Sequence, residues 1–573
     1  MATITQAQAS TAGPGFQRVR SIASSRHLAK IGPLALLGVL AYLVLQPLYR
    51  LQELALEDNA RGYRTAFGSE TFAETLGTTV VLALGSLVIA MVLGTTLAFW
   101  ATRLPRRLGF LKVVPILPIV LPSAANIVAW AFLLSPKPGY LNVLLRKLPW
   151  WDHLQEGPVD IYSMPWIVII TGFSLTAFVY LFVSGGLRNI NSELIEAAQA
   201  SGSSSRRVFF TVTLPLLRPV LLYGGGVALL LGLGQFTGPL LLGRNSGVDV
   251  ITTDMYRSVS QTPIDYAAAA ALGSPLLIFG LAVVIMQKAL LGDSARFVTH
   301  SGKSFRAQTR PSKGAAAGIA TFGIVSTGLP LVALLIVALS PFWSGTIDTG
   351  SFSLDNFRKA LDDNAIKAGI STSLTASILA VLIALPLGFL VANFLLRAKN
   401  RVLRPVLDFL VAVPLGIPAV IFGAGFLLTY TRPPLILYGT RWVIVLVYVT
   451  LMLPFTTRMQ LSGLVSLGTG YVEASRVSGA SALRTNLRIV LPLMRGTMAS
   501  TAALMFVLLT HEFSASMLVR SSTTQVMGTV LYDYWSNGAY PLVAAIALIM
   551  SVVTAVGVGL AILVGGSDVL NKL

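Results

Sequence analysis

Cysteine is absent from the 573-residue chain, which excludes disulfides, thiolate metal sites and cysteine nucleophiles. Charge is scarce as well: Asp, Glu, Lys and Arg make up 11% of the residues, less than half the roughly 25% usual in soluble proteins, while 54% are hydrophobic. Any polar stretch long enough for an extra soluble domain is also missing. Apolar runs of about 20 residues, each sufficient to cross roughly 30 Å of hydrocarbon, recur instead along the whole chain. The main solvent of this protein is therefore a lipid bilayer. Acidic residues are few, 23 against 42 Lys plus Arg, giving a formal charge of +19. In a soluble chain that balance would point to nucleic acid; in a membrane chain basic loops on the cytoplasmic side account for it, so no nucleic-acid partner is expected. A phosphate loop is missing too. Gly302-Lys303-Ser304 comes nearest to G-x-x-x-x-G-K-[ST], but Phe297 stands where the first glycine is required. No catalytic, cofactor-binding or metal-ligating set is expected in this chain, and it is not expected to be an enzyme.

Runs bounded by charge and by Pro/Gly clusters predict twelve spans: roughly 31–49, 72–101, 110–134, 164–185, 217–242, 266–291, 316–341, 368–396, 405–430, 442–463, 496–517 and 539–565. Loops holding Arg103, Arg106, Arg107 and Lys112, then Arg188, Arg206 and Arg207, then Arg397, Lys399, Arg401 and Arg404, then Arg476, Arg484, Arg488 and Arg495 alternate with loops holding many of the acids. The positive-inside rule then places both termini in the cytoplasm. The expected architecture is an all-α membrane protein of two homologous six-helix halves: a tail over 1–30, a first half over 31–291, a basic linker over 292–315 and a second half over 316–573.

Two of the basic loops, 186–215 and 464–495, repeat one pattern. The first carries Glu196-Ala197-Ala198, Gly202 and Leu214-Pro215; the second carries Glu473-Ala474-Ser475, Gly479 and Leu491-Pro492. Glu to Gly is 6 positions and Gly to Pro 13 positions in both, at a constant offset of 277. A second anchor, Tyr63-Arg64-Thr65-Ala66 against Phe357-Arg358-Lys359-Ala360, repeats at an offset of 294, and the longer loop of the first half (about 135–163 against about 431–441) supplies the difference of 17 between the two offsets. Glu followed by small residues starts a short helix, Gly permits a sharp turn or the close approach of another backbone, and Leu-Pro marks the entry to the next apolar helix.

These residues resemble the EAA loop of binding-protein-dependent ABC importer permeases. Both copies fit, with Ser475 standing where the family usually has Ala. The resemblance implies that each loop forms a coupling helix seated on one subunit of a homodimeric ATPase, that ATP and Mg bind on that partner, and that an extracytoplasmic solute-binding protein delivers the cargo. It implies a multi-pass protein of the bacterial plasma membrane. QFTGPLLLG ahead of VITTDMYR in the first half, and HEFSASMLV in the second, are similar to the ferric-iron permeases of the family; relatives carrying thiamine, polyamines, sulfate or phosphonates remain alternatives.

Inside the membrane, the 277 offset aligns Gly234-Gln235-Phe236-Thr237 with His511-Glu512-Phe513-Ser514. Ionisable groups inside a span are costly and normally face a cavity or a partner. Gln235, Phe236, Thr237, His511, Glu512 and Phe513 are thus the candidates for a translocation path; the bland reading is that His511 and Glu512 lie between the halves and satisfy each other. Asp254 and Tyr256 are expected to correspond to Tyr532 and Asp533. Pro115, Pro118, Pro122, Pro414 and Pro418 read as kinks of mainly structural meaning. Two readings compete with the importer: an ion-coupled transporter of two six-helix halves, which needs no paired Glu-Gly-Pro loops, and a structural or signalling membrane protein, which explains neither the loops nor the polar positions.

Overall fold

The computed structural model describes residues 16–188, 190, 192–291, 311–397, 400–468 and 470–565. The start of the expected tail, most of the expected linker and Gly302-Lys303-Ser304 lie outside the described residues. All regular structure among the described residues is helical. Nine helices there are long and apolar enough to cross a membrane, or twelve when each of three sharply bent pairs is one span.

In chain order the first half contains α1 (Phe16–Phe67), α2 (Phe72–Ala101), α3 (Arg106–Val120 with Ser123–Leu134), α4 (Met164–Arg188), α5 (Arg218–Leu233 with Thr237–Leu242) and α6 (Tyr266–Leu291). The second contains α7 (Lys313–Leu339), α8 (Asn364–Arg397), α9 (Leu403–Gly416 with Ala419–Tyr430), α10 (Arg441–Leu467), α11 (Arg495–Thr510 with Ser514–Val519) and α12 (Tyr540–Gly565). The spans gather their loops into two ends. The basic end carries the repeated Glu-Gly-Pro loops, and the acidic end carries the short helices Ile251–Ser260 and Met527–Ser536.

The first span runs further than its apolar core suggests. Helix α1 continues to Glu57–Ala60, where the backbone leaves helical geometry, and the turn after this break carries Tyr63-Arg64-Thr65-Ala66. The matching anchor in the second half sits on its own helix, Asp355–Asp362.

The opening helix of each half packs on the other half. Leu40, Leu43 and Val44 of α1 are buried in one cluster with Phe422, Phe426 and Tyr430 of α9. In reciprocal fashion Ala333, Leu334, Val337 and Ala338 of α7 are buried with the Ser123–Leu134 segment of α3, and the rings of Phe132 and Trp343 lie 4.8 Å apart. Without a hydrophobic drive between lipid-bathed helices, such crossings depend on close contact of small residues. At Gly280 of α6 the contact is extreme: a Cβ there would lie 1.7 Å from the carbonyl oxygen of Gly416 in α9.

Two spans turn sharply inside the bundle. Segments of α3 meet at 94° around Leu121-Pro122, and those of α9 meet at 106° around Ile417-Pro418. Proline cannot donate to the helix ladder and its ring crowds the preceding turn, so the chain breaks there.

Candidate functional site

The two Glu-Gly-Pro loops fold alike. A short helix, Ser192–Ala200 in the first and Gly470–Val477 in the second, ends at a glycine with φ of +82° (Gly202) or +80° (Gly479). The amides of Gly202 and Ser203 donate to the carbonyls of Gln199 (2.9 Å) and Ala198 (3.2 Å). Those of Gly479 and Ala480 donate to Arg476 and Ser475, both at 3.1 Å. This paired closure satisfies the last helical carbonyls and requires the left-handed residue that glycine supplies. Among the described residues, nothing beyond the immediate chain neighbours would lie within 4 Å of a Cβ on either glycine; the left-handed turn itself demands glycine.

Beyond each turn come one α-turn, a π-turn (Phe209–Thr213 or Asn486–Val490) and Leu-Pro-Leu. The membrane helix proper starts only after this, at Arg218 or Arg495, so Leu214-Pro215 and Leu491-Pro492 form an elbow ahead of the span, bent by 72° in the second half. Glu196, Ala197, Glu473 and Ala474 are exposed while Ala198 is half-buried. Val477, Leu483 and Tyr471 are 90%, 69% and 58% exposed, an apolar set on a loop left uncovered among the described residues. The one departure, Ser475, is buried and hydrogen-bonded to Thr485 at 2.9 Å. At the offset of 277 those positions in the first loop are Ala198 and Val208, so a polar pair replaces an apolar pair.

Gln235 and His511-Glu512 lie at breaks in α5 and α11, not on continuous helix. Helix stops at Leu233 and resumes at Thr237; it stops at Thr510 and resumes at Ser514. Irregular backbone at this depth is tolerated where it is packed in protein or borders a cavity, and both conditions are met. A cavity of about 320 Å³ between the halves is lined by Gln235, Phe236, Thr237, His511, Glu512 and Ser514, together with both hinges of α3 and α9. Phe513 is not among its lining residues and is buried beside it.

His511 and Glu512 do not satisfy each other. Glu512 accepts hydrogen bonds from the amides of Ala515 (2.7 Å) and Ser516 (2.9 Å) and from the Ser516 hydroxyl, filling the start of the short helix Ser514–Val519. Tyr448 of α10, fully buried, braces Ser516 through its own hydroxyl at 3.0 Å. His511 Nε2 lies 2.6 Å from Thr554 Oγ1 on α12, and because Thr554 donates to the Met550 carbonyl (3.0 Å), the histidine donates to Thr554. Each is oriented by a different helix.

A second volume, about 380 Å³, shares Ile119, Phe178, Leu415, Phe455 and Leu508 with the first. It extends to Gln287 of α6 and Arg458 of α10, near the basic ends of those helices. Arg458 is paired with Asp408 at 2.8 Å. Towards the acidic end the tract stops at four rings. Phe236 and Phe513 lie 5.6 Å apart, Tyr256 and Tyr532 6.5 Å apart, Phe236 and Tyr256 5.7 Å, and Phe513 and Tyr532 6.2 Å. Phe236 and Phe513 are repeat-mates at offset 277, and Tyr256 and Tyr532 at offset 276. A residue can touch its own mate only near the axis relating the halves, so this plug sits on that axis.

The expected correspondence of Asp254 and Tyr256 with Tyr532 and Asp533 needs correction. In both short helices a threonine hydroxyl, Thr253 or Thr529, accepts from the amide three residues earlier, Val250 or Val526. That register pairs Tyr256 with Tyr532 and Arg257 with Asp533. Arg257 bonds Asp249 and Asp254; Asp533 bonds Arg520 (2.8 Å) and Gln525 (3.0 Å). Burial raises the Asp254 carboxyl above its ordinary value against the pull of Arg257.

The prolines mean more than kinks. Pro118, Pro414 and Pro418 line the cavity and Pro122 stands at the α3 hinge between the lining residues Leu121 and Ser123, with the same spacing in both halves at offset 296. That repeat was a usable signal. Asn126, Tyr448, Arg458 and Asp408 had none, because single polar residues in apolar runs carry no pattern.

A family model described as "Binding-protein-dependent transport system inner membrane component" matches the chain twice, over residues 77–292 and 384–565. The ferric transport system permease protein FbpB of Actinobacillus pleuropneumoniae is 29% identical, over 81% of this chain and 67% of its own length. The putative ferric transport system permease protein FbpB 1 of Haemophilus influenzae is 28% identical over 77% and 69%. A chain of a bacterial alginate ABC transporter, solved with its pentasaccharide-bound periplasmic protein, is similar at 20% identity and a TM-score of 0.40, covering 49% of this chain and 99% of that one. With both of its halves matched by that model, the chain is a member of the family of inner-membrane components of binding-protein-dependent transport systems, a multi-pass permease built as two fused copies.

Proposed function

We propose that this permease imports ferric iron handed over by an extracytoplasmic binding protein, and that a separate homodimeric ATPase drives it through the loops 186–215 and 464–495. ATP and Mg bind on the ATPase, and this chain carries out no covalent chemistry. Support for the coupling role comes from one observation: two loops far apart in sequence present the same short helix, the same left-handed glycine and the same elbow at one end of the bundle. The names of the two FbpB relatives support the cargo. The basic end faces the cytoplasm with both termini, and residues 31–291 and 316–573 act as half-bundles joined by the linker 292–315.

In this reading Glu196, Ala197, Ala198 and Gly202, with Glu473, Ala474, Ser475 and Gly479, sit in grooves of the ATPase. The elbows at Leu214-Pro215 and Leu491-Pro492 turn movement of each loop into rotation of α5 or α11. Those two helices carry Gln235, Phe236 and Thr237, and His511, Glu512 and Phe513, so rotation parts the aromatic plug on the axis. The closed plug and the tract reaching Gln287 and Arg458 correspond to the inward-facing member of a two-state cycle.

The test is reconstitution in proteoliposomes with a candidate ATPase and a ferric-iron-binding protein. Radioactive iron should enter only when ATP and loaded binding protein are both present. Uptake without nucleotide hydrolysis would overturn the proposal, and strict ATP-dependent uptake of another solute would overturn the cargo alone.

A further inference from the structure

The cavity between the helix breaks is built from helix starts. Segments Ser123–Leu134 of α3 and Ala419–Tyr430 of α9 both begin at its wall, one from each half, with Ser123 and Ala419 among its lining residues. Neither start has a side-chain cap, because Pro122 and Pro418 occupy the capping position. The amides at 123–125 precede the bond from Asn126 N–H to the Pro122 carbonyl (2.9 Å), and those at 419–420 precede the bond from Ile421 N–H to the Pro418 carbonyl (3.0 Å). Uncapped amides at a helix start carry partial positive charge and favour an anion. At membrane depth such amides have no water to turn to, and the first residue of each start, Ser123 or Ala419, lines the cavity.

An independent feature marks the same place. Asn126 is 3% exposed, lines the cavity, and its Oδ1 has no hydrogen-bond partner among the described residues. A buried amide left unpaired is costly, so it calls for an explanation. Rotation about its last bond presents either a donor or an acceptor to a guest. The molecule also displays the kind of group such a start receives: Glu512 places its carboxylate on the start of Ser514–Val519. The equivalent residue in the first half is the neutral Gln235.

We propose that this cavity is a binding site for a carboxylate or oxyanion, held by the helix starts at 123–125 and 419–420 and by Asn126. The cargo then crosses as an anion or as a cation wrapped by one, rather than as a bare ion coordinated by protein side chains. This rests on the permease reading and specifies the chemical form that the path accepts.

The experiment uses the full-length chain in nanodiscs, without ATPase or binding protein, and equilibrium dialysis against radiolabelled phosphate, citrate and ferric citrate. Wild type should bind at least one of them. Binding of ferric citrate alone would show that the anion arrives with the metal; equal binding of free citrate or phosphate would show that the anion suffices. Asn126→Asp adds a negative charge with little change of shape and should weaken binding about tenfold or more. Gln235→Glu, at the half-buried break of α5, should do the same, and it keeps the test decisive if Asn126→Asp folds poorly. Unchanged or tighter binding in a well-folded variant, or no binding of any of the three by wild type, would overturn the site. Anion binding needs no transport, so a failed iron-uptake assay with anion binding intact would remove the ferric cargo and leave the site standing.

Discussion

The two halves share a backbone plan but not its chemistry. At the acidic end each half ties a short helix to the strap preceding it with an ion pair, and the signs are reversed: Arg257 on the helix meets Asp249 in the first half, whereas Asp533 on the helix meets Arg520 in the second. At the cavity, Glu512 fills a helix start where the first half has only Gln235. In the basic loops, Ser475 and Thr485 bond where Ala198 and Val208 stand. What the halves keep in common is geometry: the left-handed glycine, the elbow, the broken span and the ring on the axis. Side-chain polarity was free to diverge wherever a complementary change could follow, and backbone requirements were not.

The largest effect should come from the feature that did not diverge. A β-branched residue at φ near +80° costs on the order of 1–2 kcal/mol in backbone strain, and it removes the turn that ends the short helix of the loop. Gly202→Val and Gly479→Val should each reduce iron uptake at least tenfold while membrane insertion and yield stay normal, as read by proteoliposome uptake and size-exclusion of the purified chain. If one substitution is silent, the halves are not equivalent at the ATPase, and the comparison breaks there.

Next in size is the carboxylate without a counterpart. Glu512→Ala leaves the Ser514–Val519 start unfilled and Ser516 without its acceptor, a loss of about 1–3 kcal/mol for a buried hydrogen-bonded charge partner. Uptake should fall several-fold or more with ATPase association unchanged in a pull-down. Glu512→Gln keeps one acceptor and should be intermediate. A change confined to folded yield would make Glu512 a packing residue only.

Much of this plan is legible in the sequence, because apolar windows of membrane length and two identically spaced loops are strong patterns. The helix breaks at 234–236 and 511–513 were hidden, since hydropathy averages over a window and does not register a backbone that leaves the helix inside one. Polar residues such as Gln235 and Glu512 were visible for the same reason that the break was not: they interrupt composition, not length. The exchange of α1 and α7 between halves could not be read either, for it depends on contacts such as Val44 with the α9 cluster, far apart in sequence. Sign reversal at Arg257 and Asp533 actively misled, because matching residue types aligned Asp254 with Asp533, although Tyr256 and Tyr532 are true partners.

The reversed clamps can be tested by reversing them again. Arg257→Asp or Asp533→Arg should each destabilise the acidic end by roughly 1 kcal/mol, since these pairs are partly exposed and screened. The double change Arg257→Asp with Asp249→Arg should recover most of the loss in a thermal melt, whereas Arg257→Asp with Asp533→Arg should not. Recovery by the latter pair would mean that the clamps work across the halves and not within each.

The smallest effect is expected in the second basic loop, where a hydrogen-bonded pair replaced an apolar one. Ser475→Ala leaves the Thr485 hydroxyl buried without that partner, though it still donates to the Ser481 carbonyl (3.0 Å), so the cost should be about 0.5–1 kcal/mol. Thr485→Val strands Ser475 in turn and should cost about the same. Together they recreate the Ala and Val of the first loop, so the double variant should be closer to wild type than the sum of the singles, by roughly 0.5 kcal/mol or more in a double-mutant cycle. Strict additivity would show that the two loops are not built to a common internal fit, and that their shared shape comes from the glycine turn alone.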